Sequence, residues 1–479
     1  MHEFEAQLEK IVTREIDGCE RLVGCERLSA GASQQTYKLT IEGAGGQQLL
    51  AFRRRMEGAV QHASRPDARM EALLLQAARR ADVPAPEIFY VLTEKDALGE
   101  GFIMQWLNGE TLGARIARHQ DFAAIRPKLA YQCGQILARI HAIKLDGALA
   151  DNLSRLSPQD FLQQTYDGYL TLGVHQPMID FTARWLGDNL PTPQGEALVH
   201  NDFRNGNLMV DAKAGIIAVL DWELAHIGDP VRDIGWICTN SWRFGNSDLA
   251  VGGFGQLADL LAGYKAVSGR DVAAAHIKFW QVFGSFWWAI HTLGMAASFR
   301  QGLDRSVERP AIGRRSSECQ IDCVNLLIGG AIAPPPESEQ LPEHLQINDT
   351  SGVPADELLE SVRDYLRDEI MPNHKGRAGF LARVAANALD MVRREHQLAP
   401  LNHAHQHAAL AALLEPDDSA SENNLHHLRG LLCARLRDGT MPLDNQALHA
   451  YLRDSVAMQV AIDQPNYSGY QINKTEEKL

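Results

Sequence analysis

Short apolar runs separated by turn residues dominate the beginning of the chain, and helical spacing dominates the remainder. Residues 5–17 have the pattern of an opening helix, and residues 67–82 predict a second helix that ends before Pro84. Alternating or continuous apolar runs predict strands at residues 25–28, 36–42, 48–53, 88–93 and 102–106. The pattern therefore predicts an α+β region in which a five-stranded sheet is accompanied by a helix.

Helical periodicity continues from residue 112 to about residue 332, and the Pro-rich stretch 334–342 then interrupts it. Beyond this stretch, apolar stripes predict helices at residues 358–370, 380–392, 402–414, 421–437 and 445–460, which suggests an antiparallel bundle. We therefore divide the chain into five parts. They are a sheet-containing region at 1–107, a mainly helical region at 108–332, a linker at 333–351, an all-α domain at 352–460 and a polar tail at 461–479.

Charge and cysteine content narrow the functional class. The formal net charge of −14 argues against a nucleic-acid partner, because such proteins present a basic face. The seven cysteines are dispersed and odd in number, which is typical of reduced thiols and predicts a cytoplasmic location.

One apolar run, residues 279–297, is long enough to cross a bilayer. It contains Gln281 and His291 and is flanked by Lys278 and Arg300. We interpret the run as a buried helix of a large helical lobe, and we expect no membrane insertion.

The strongest chemical signal is the ordered set His200, Asp202 and Asn207, followed by Asp221. Asp221 ends a second apolar run, residues 214–220, which predicts a short strand. Phosphoryl transfer from ATP requires one carboxylate beside the attacking hydroxyl, and an amide and a second carboxylate to hold Mg²⁺. The spacing predicts Asp202 as the base and Asn207 and Asp221 as metal ligands.

These residues, together with the segment 228–236, resemble the aminoglycoside phosphotransferase family, the small-molecule relatives of protein kinases. The resemblance covers about residues 1–332, and the most similar branch is the one associated with acyl-CoA dehydrogenases. It implies a bilobal protein-kinase-like fold, with a five-stranded N-lobe sheet and a mainly helical C-lobe, and the cofactors ATP and Mg²⁺. Residues 376–389 resemble an uncharacterised helical domain found beside this branch.

Further roles are assigned around the loop that contains Asp202. His200 is interpreted as a support of the loop, and with Arg204 it joins Asp202 in the predicted catalytic set. Glu223 has two open interpretations: it assists the metal through water, or it caps the following segment. Asp229 and Asp233 of the family segment are predicted to bond loop amides or to cap a helix, and so have a structural role.

Nucleotide contacts are predicted from position in the chain. Gly31, Ser33 and Gln35 lie in a small-residue loop between the first two strands, where backbone N–H groups would face phosphates. Gln105 and Leu107 fit the hinge between the lobes, whose backbone would face adenine.

The third strand ends in a run of arginines where most kinases have a phosphate-binding lysine. Arg53 is our choice for that position, and Arg55, on the same strand face, is the alternative. The predicted partner of this arginine is Glu71 in the following helix.

A group of arginines suggests the substrate class, because an anionic tail such as that of CoA would bind there. Its members are Arg300, Arg305, Arg309, Arg314 and Arg315. The alternative is an ordinary solvated basic stretch. The leading substrate is therefore a small hydroxylated molecule, a hydroxyacyl-CoA or hydroxy acid. The alternatives are an aminoglycoside or amino-alcohol kinase, and a nucleotide-binding pseudokinase in which residues 352–460 recruit a protein partner or self-associate.

Overall fold

The computed structural model describes residues 2–28, 34–55, 65–192, 195–332, 353–414 and 424–475. The predicted linker therefore lies outside the described residues. Contacts divide the chain into two compact units, of which the first comprises Met1–Pro158 and Thr192–Trp280, and the second comprises Gln159–Pro191 and Gln281–Leu479.

The first unit contains the predicted antiparallel five-stranded sheet. Its strands are β1 (Cys19–Arg27), β2 (Gln34–Gly43), β3 (Gly46–Arg55), β4 (Ile88–Val91) and β5 (Gly101–Gln105). They are arranged in the order β1-β2-β3-β5-β4. The kinase-like class of fold is thereby confirmed, with β1 beginning six residues earlier than the predicted strand.

One face of this sheet packs against the first helix, His2–Glu15. Leu8 and Ile11 of the helix are fully buried against Leu39 of β2 and Phe52 of β3. Side chains alternate between the two faces of a strand, so the neighbours of these core residues point to the opposite face of the sheet. That opposite face carries the candidate site.

The rest of the first unit is helical, with short strands around the predicted catalytic loop. Its helices are Ala68–Arg80, Gly113–Arg118, Arg126–His141, Gly147–Asn152, Val231–Ile237 and Leu257–Ser268, and its strands are Arg155–Leu156, Ala197–Val199, Leu208–Asp211, Gly215–Val219 and His226–Gly228. The helices Arg126–His141 and Leu257–Ser268 approach closely at Gly134, where a Cβ atom would lie 2.0 Å from the Leu260 carbonyl oxygen. A side chain at this position would force the two helices apart.

The second unit is helical. Its helices are Pro158–Leu170, Pro177–Asp188, Glu308–Arg314, Ser316–Leu327, Ala355–Tyr365, Met371–Asn373, Arg377–Leu414, Leu425–Arg437, Gln446–Asp463 and Ser468–Thr475, and the division between the units falls within Ala274–Arg300. The long apolar run, residues 279–297, lies in the helix Ala274–Arg300, as predicted. Across the ranges that the structure describes, no helix is both long and apolar enough to cross a bilayer.

A single apolar core joins helices on either side of the predicted linker. Phe181 and Ile321 precede the linker, and they share this core with Leu410, Leu432 and Leu452, which follow it. The contact-based division therefore differs from the predicted boundary at residues 333–351. The Pro-rich composition marks a local break in the helical pattern. The apolar faces of the helices before the break nevertheless determine which segments pack together.

Two further elements differ from the sequence prediction. The predicted helices at 380–392 and 402–414 are one helix, Arg377–Leu414, which continues through Pro400. The predicted polar tail also begins too early, because Ile462 and Tyr470 are buried. The hydroxyl of Tyr467 donates to Asp322 Oδ2 at 2.6 Å, which holds this end of the chain to the helix Ser316–Leu327.

A buried ionic contact adds to this core. The fully buried side chain of Asp180 accepts hydrogen bonds from Arg437 Nε at 2.7 Å and from the Tyr169 hydroxyl at 3.2 Å, and it also contacts the Tyr166 hydroxyl. The contact joins the helix that contains Asp180 to the helix Leu425–Arg437.

We expect Arg437→Met to lower the free energy of unfolding of the full chain by about 2–3 kcal/mol, because Asp180 would stay buried without its cationic partner. This expected loss is smaller than that for a fully enclosed ion pair, because the Arg437 side chain is 35% exposed. Chemical denaturation measures it. Arg435→Met in the same helix is the matched control, since Arg435 has no salt bridge within the described ranges, and equal losses in the two variants would contradict the assignment.

Candidate active site

The predicted base, Asp202, lies in the loop between the strands Ala197–Val199 and Leu208–Asp211. Its Oδ1 accepts hydrogen bonds from Arg204 Nε and Trp236 Nε1, each at 2.9 Å. Its Oδ2 accepts from Asn207 Nδ2 at 2.6 Å. Three donors therefore fix the orientation of this carboxylate, and one of them, Trp236, is not among the predicted site residues.

Asp233 supports the backbone of this loop. Its carboxylate accepts from the backbone N–H groups of His200 at 2.8 Å and Asn201 at 2.7 Å, and it lies 3.2 Å from His141 Nε2. Burial alone would raise the pKa of Asp233, but the hydrogen bonds from His141 and the loop hold it below its ordinary value. Asn201 has a left-handed φ of 64°, so these bonds also stabilise an uncommon backbone conformation.

His200 links the loop that contains Asp202 to the segment that contains Asp221. The backbone N–H of Asp202 donates to His200 Nδ1 at 3.2 Å, so the ring proton is on Nε2, which donates to the Leu220 carbonyl oxygen at 3.1 Å. Burial lowers the pKa of His200 and favours the neutral ring. This geometry gives His200 a positioning role.

Asp221 follows the strand Gly215–Val219 and has a φ of 66°, which only a minority of non-glycine residues adopt. Its carboxylate contacts Arg53. Burial opposes the charge on Asp221, but the Arg53 guanidinium holds the pKa of Asp221 below its ordinary value. The backbone N–H of Leu220 donates to the Asn207 carbonyl oxygen at 2.8 Å, so the two predicted metal ligands lie on adjacent hydrogen-bonded segments.

The oxygen atoms that Asn207 and Asp221 offer as metal ligands fit Mg²⁺. The Asn207 side-chain nitrogen donates to Asp202, which leaves the amide oxygen as the remaining acceptor of that side chain. The carboxylate of Asp221 supplies further oxygen atoms, and oxygen is the ligand that Mg²⁺ prefers. Glu223, the third predicted ligand, accepts from Gln34 Nε2 at 3.2 Å.

Arg53 connects the sheet to this region. Its Nη2 lies 3.0 Å from Glu71 Oε1, and the same nitrogen contacts Asp221. Burial lowers the pKa of Arg53, but the carboxylates of Glu71 and Asp221 outweigh burial and raise it. Burial raises the pKa of Glu71 to about 6. The predicted partner of Arg53 is thus in contact with it, near the start of the helix Ala68–Arg80.

Gln34 completes this network. Its Oε1 accepts from Arg53 Nε, and its Nε2 donates to Glu71 Oε2 at 3.1 Å. The predicted nucleotide residue Gln35 instead points to the opposite face of the sheet, where its Oε1 accepts from Arg54 Nε at 2.9 Å. The alternation of side chains along β2 explains the difference, because a shift of one residue changes the face.

The other predicted nucleotide contacts have different outcomes. Gly31 and Ser33 lie outside the described residues. Arg55, the alternative to Arg53, lies 3.4 Å from Glu100 Oε2. Gln105 and Leu107 help to line a cavity of about 390 Å³. The other lining residues are Arg79, Asp82, Val83, Pro84, Ala85 and Ile217.

The arginines that we predicted to hold an anionic tail are largely paired with carboxylates. Arg309 contacts Asp304 at 2.6 Å, and Arg315 contacts Glu318 at 3.1 Å. Arg314 pairs with two acids, Glu395 at 3.0 Å and Asp463 at 2.5 Å. These pairs disfavour an extended stretch in which Arg309, Arg314 and Arg315 together hold one anionic tail, and they equally disfavour an ordinary solvated stretch. The partners of Arg314 lie far along the chain, so neighbouring sequence did not reveal them.

Comparison with known proteins defines the class. Residues 24–273 match the model of the phosphotransferase enzyme family (APH), and residues 372–467 match a domain of unknown function, DUF6285. The chain therefore belongs to the phosphotransferase enzyme family, as predicted.

Similar proteins carry acyl-CoA dehydrogenase names. Acyl-CoA dehydrogenase family member 10 of Mus musculus is 26% identical over 217 residues, which are 43% of this chain and 19% of that protein. Family member 11 of Gallus gallus is 27% identical over 250 residues, which are 49% of this chain and 31% of that protein. The chain thus spans less than a third of the length of these two relatives.

A solved structure supports the fold. A protein from Ralstonia eutropha, provisionally described as an aminoglycoside phosphotransferase, superimposes with a TM-score of 0.53 at 22% identity. The superposition covers 66% of this chain and 95% of that protein.

Proposed function

We propose that this protein transfers the γ-phosphoryl group of ATP to a hydroxyl group of a small molecule. The observation that carries the proposal is the hydrogen bond from Asn207 to Asp202, beside the segment that contains Asp221, together with the contacts of Arg53 to Glu71 and Asp221. This reaction requires a base for the substrate hydroxyl, two oxygen ligands for the metal ion and a buried cation for the phosphates.

In this mechanism Asp202 orients the substrate hydroxyl and accepts its proton. The hydroxyl oxygen forms a bond to the γ-phosphorus as the bond from that phosphorus to the bridging oxygen of ADP breaks. Arg204 and Trp236 fix the Asp202 carboxylate, so little reorientation is needed during the reaction. Mg²⁺ held by Asn207 and Asp221 would neutralise the phosphate oxygens. The transition state is loose, so positioning contributes much of the rate.

Arg53 takes the place of the usual lysine in this proposal. Its guanidinium bridges Glu71 and Asp221, and we propose that it also contacts the α and β phosphates of the nucleotide. The guanidinium of arginine can donate two parallel hydrogen bonds to a pair of oxygen atoms, whereas the ammonium of lysine acts as a point charge. The two residues are therefore not equivalent at this position.

We expect Arg53→Met to raise the KM for ATP at least about tenfold, because a charge-assisted phosphate contact contributes on the order of 1.5–3 kcal/mol. Steady-state kinetics with varied ATP measure this. Arg55→Met, on the same strand, is the matched control and should change KM less than about twofold, because Arg55 lies beside Glu100. A larger effect at Arg55 would reverse the assignment.

The proposed acceptor is a hydroxyacyl-CoA or a related hydroxy acid. The names of the mouse and chicken relatives support this class. The pairing of Arg314 and Arg315 with carboxylates means that these arginines do not support it.

A substrate panel tests the activity and its acceptor together. ADP release is measured with hydroxyacyl-CoAs, hydroxy acids, aminoglycosides and choline, and Asp202→Ala serves as the blank. Turnover confined to CoA esters or hydroxy acids supports the proposed class, and turnover confined to aminoglycosides or choline replaces it. ATP binding without turnover of any acceptor would favour the nucleotide-binding pseudokinase.

A further inference from the structure

A polar cavity of about 320 Å³ lies within the second unit. Its lining includes Arg314, Gln320, Gln406, Arg429 and Ser455. All the lining residues belong to the second unit, whereas the residues assigned to phosphoryl transfer belong to the first. The volume exceeds that of one water molecule about tenfold and falls at the lower end of the range for small-ligand sites.

One arginine in the lining has a buried donor without an acceptor. Arg314 Nε donates to Asp463 Oδ1 and Nη1 donates to Glu395, but Nη2 is buried and has no partner within the described part of the chain. An N–H group is unfavourable when it is removed from water and finds no acceptor in the protein. A ligand acceptor inside the cavity would therefore satisfy Arg314 Nη2.

A second arginine supplies positive charge. Arg429 Nη2 donates to Gln406 Oε1 at 2.5 Å, and among the residues that the structure describes Arg429 forms no salt bridge with a carboxylate. The lining carries two arginines and two carboxylates, and both carboxylates contact Arg314, so Arg429 is the cation without a carboxylate contact among the residues that the structure describes. An oxyanion beside Arg429 would supply the charge-assisted hydrogen bonds that this guanidinium lacks.

Neutral side chains on the lining add further polar atoms. Gln320 Nε2 donates to Ser316 Oγ at 3.2 Å, and both residues are buried. Gln406 is also buried, and its oxygen is occupied by Arg429, so its side-chain nitrogen is the group left to donate. Buried amides and hydroxyls around an arginine offer hydrogen-bond partners to a compact polar ligand, and they offer little apolar surface to a hydrocarbon chain.

We propose that this cavity binds a small organic oxyanion, a carboxylate or a phosphate ester, through Arg429 and the free Nη2 of Arg314. The site is separate from the proposed phosphoryl-transfer residues, and it does not depend on the identity of the acceptor. Arg314 remains paired with its two acids when the ligand is bound, because only Nη2 is used.

Isothermal titration of the full chain with citrate and, separately, with inorganic phosphate tests the proposal. We expect saturable binding of at least one probe, and the two titrations distinguish a carboxylate ligand from a phosphate ligand. Arg429→Gln should weaken that binding at least about tenfold, because it removes a charge-assisted contact. Arg300→Gln, which removes the same charge from an exposed residue, is the matched control and should leave binding unchanged.

Two further variants keep the test decisive. Ser455→Leu places a larger side chain on the lining and should also block binding, which provides a second variant if Arg429→Gln does not fold. Arg53→Met should leave binding intact, which separates this site from the proposed nucleotide site. Absence of saturable binding of either probe, unchanged binding in folded Arg429→Gln, or loss of binding in Arg53→Met would each overturn the proposal.

Discussion

Replacement of Asp202 by alanine is expected to lower kcat for phosphoryl transfer by about 10²–10⁴-fold, the range for loss of a positioned base. Binding of Mg·ATP should change by less than about twofold, because this carboxylate is assigned to the hydroxyl rather than to the metal. The Arg204, Trp236 and Asn207 donors that fix Asp202 would lose their shared acceptor, but each belongs to a segment held by other contacts. Turnover kinetics and nucleotide titration of the same sample separate the two quantities.

Asp221→Ala is the informative comparison. It should weaken Mg²⁺-dependent nucleotide binding at least about tenfold, because it removes a metal ligand and one of the two acids beside Arg53. Asp271→Ala, which removes an exposed carboxylate from the same unit, is the control for the change in charge and should behave like the wild type. Equal turnover by Asp202→Ala and the wild type would refute the assignment of Asp202 as the base.

Sequence reasoning predicted the sheet and most of the loop that contains Asp202, because both depend on local information. Alternation of apolar residues identified all five strands, and fixed spacing selected Asp202, Asn207 and Asp221 as candidates, which the structure places on adjacent segments. Order in the chain was enough to pair Arg53 with Glu71, since one ends a strand and the other begins the following helix.

Contacts between distant segments were not predictable in the same way. Gln34 was missed in favour of Gln35, because the exact register of β2 decides which of two adjacent glutamines faces Arg53. Asp463 lies 149 residues beyond Arg314 and Glu395 lies 81 residues beyond it, so charge counts in the neighbourhood of Arg314 omitted its partners. Pairing over such distances depends on how helices pack, which single-sequence periodicity does not specify.

The shared core of the second unit leads to the other large expected effect. A fragment that ends at Ala333 should be insoluble or should expose apolar surface, whereas the full chain should be cooperatively folded. The fragment would expose Met178, Phe181, Ile321 and Val324, which are buried in that core. Burial of four such side chains contributes about 6–12 kcal/mol, which is comparable to the whole stability of a typical domain. Asp180 would also lose Arg437.

Expression of the fragment with and without a second chain of residues 353–479 tests this expectation. If the core is shared, the second chain should restore solubility and suppress binding of a dye that reports exposed apolar surface, because it returns Leu410, Leu432 and Leu452 to the same cluster. The same second chain carrying Leu432→Asp is the matched control and should fail to rescue, since a buried carboxylate without a partner prevents this packing. A fragment that is soluble alone, unfolds cooperatively and binds nucleotide would contradict the shared core, and would place the boundary in the Pro-rich stretch, where local composition suggests it.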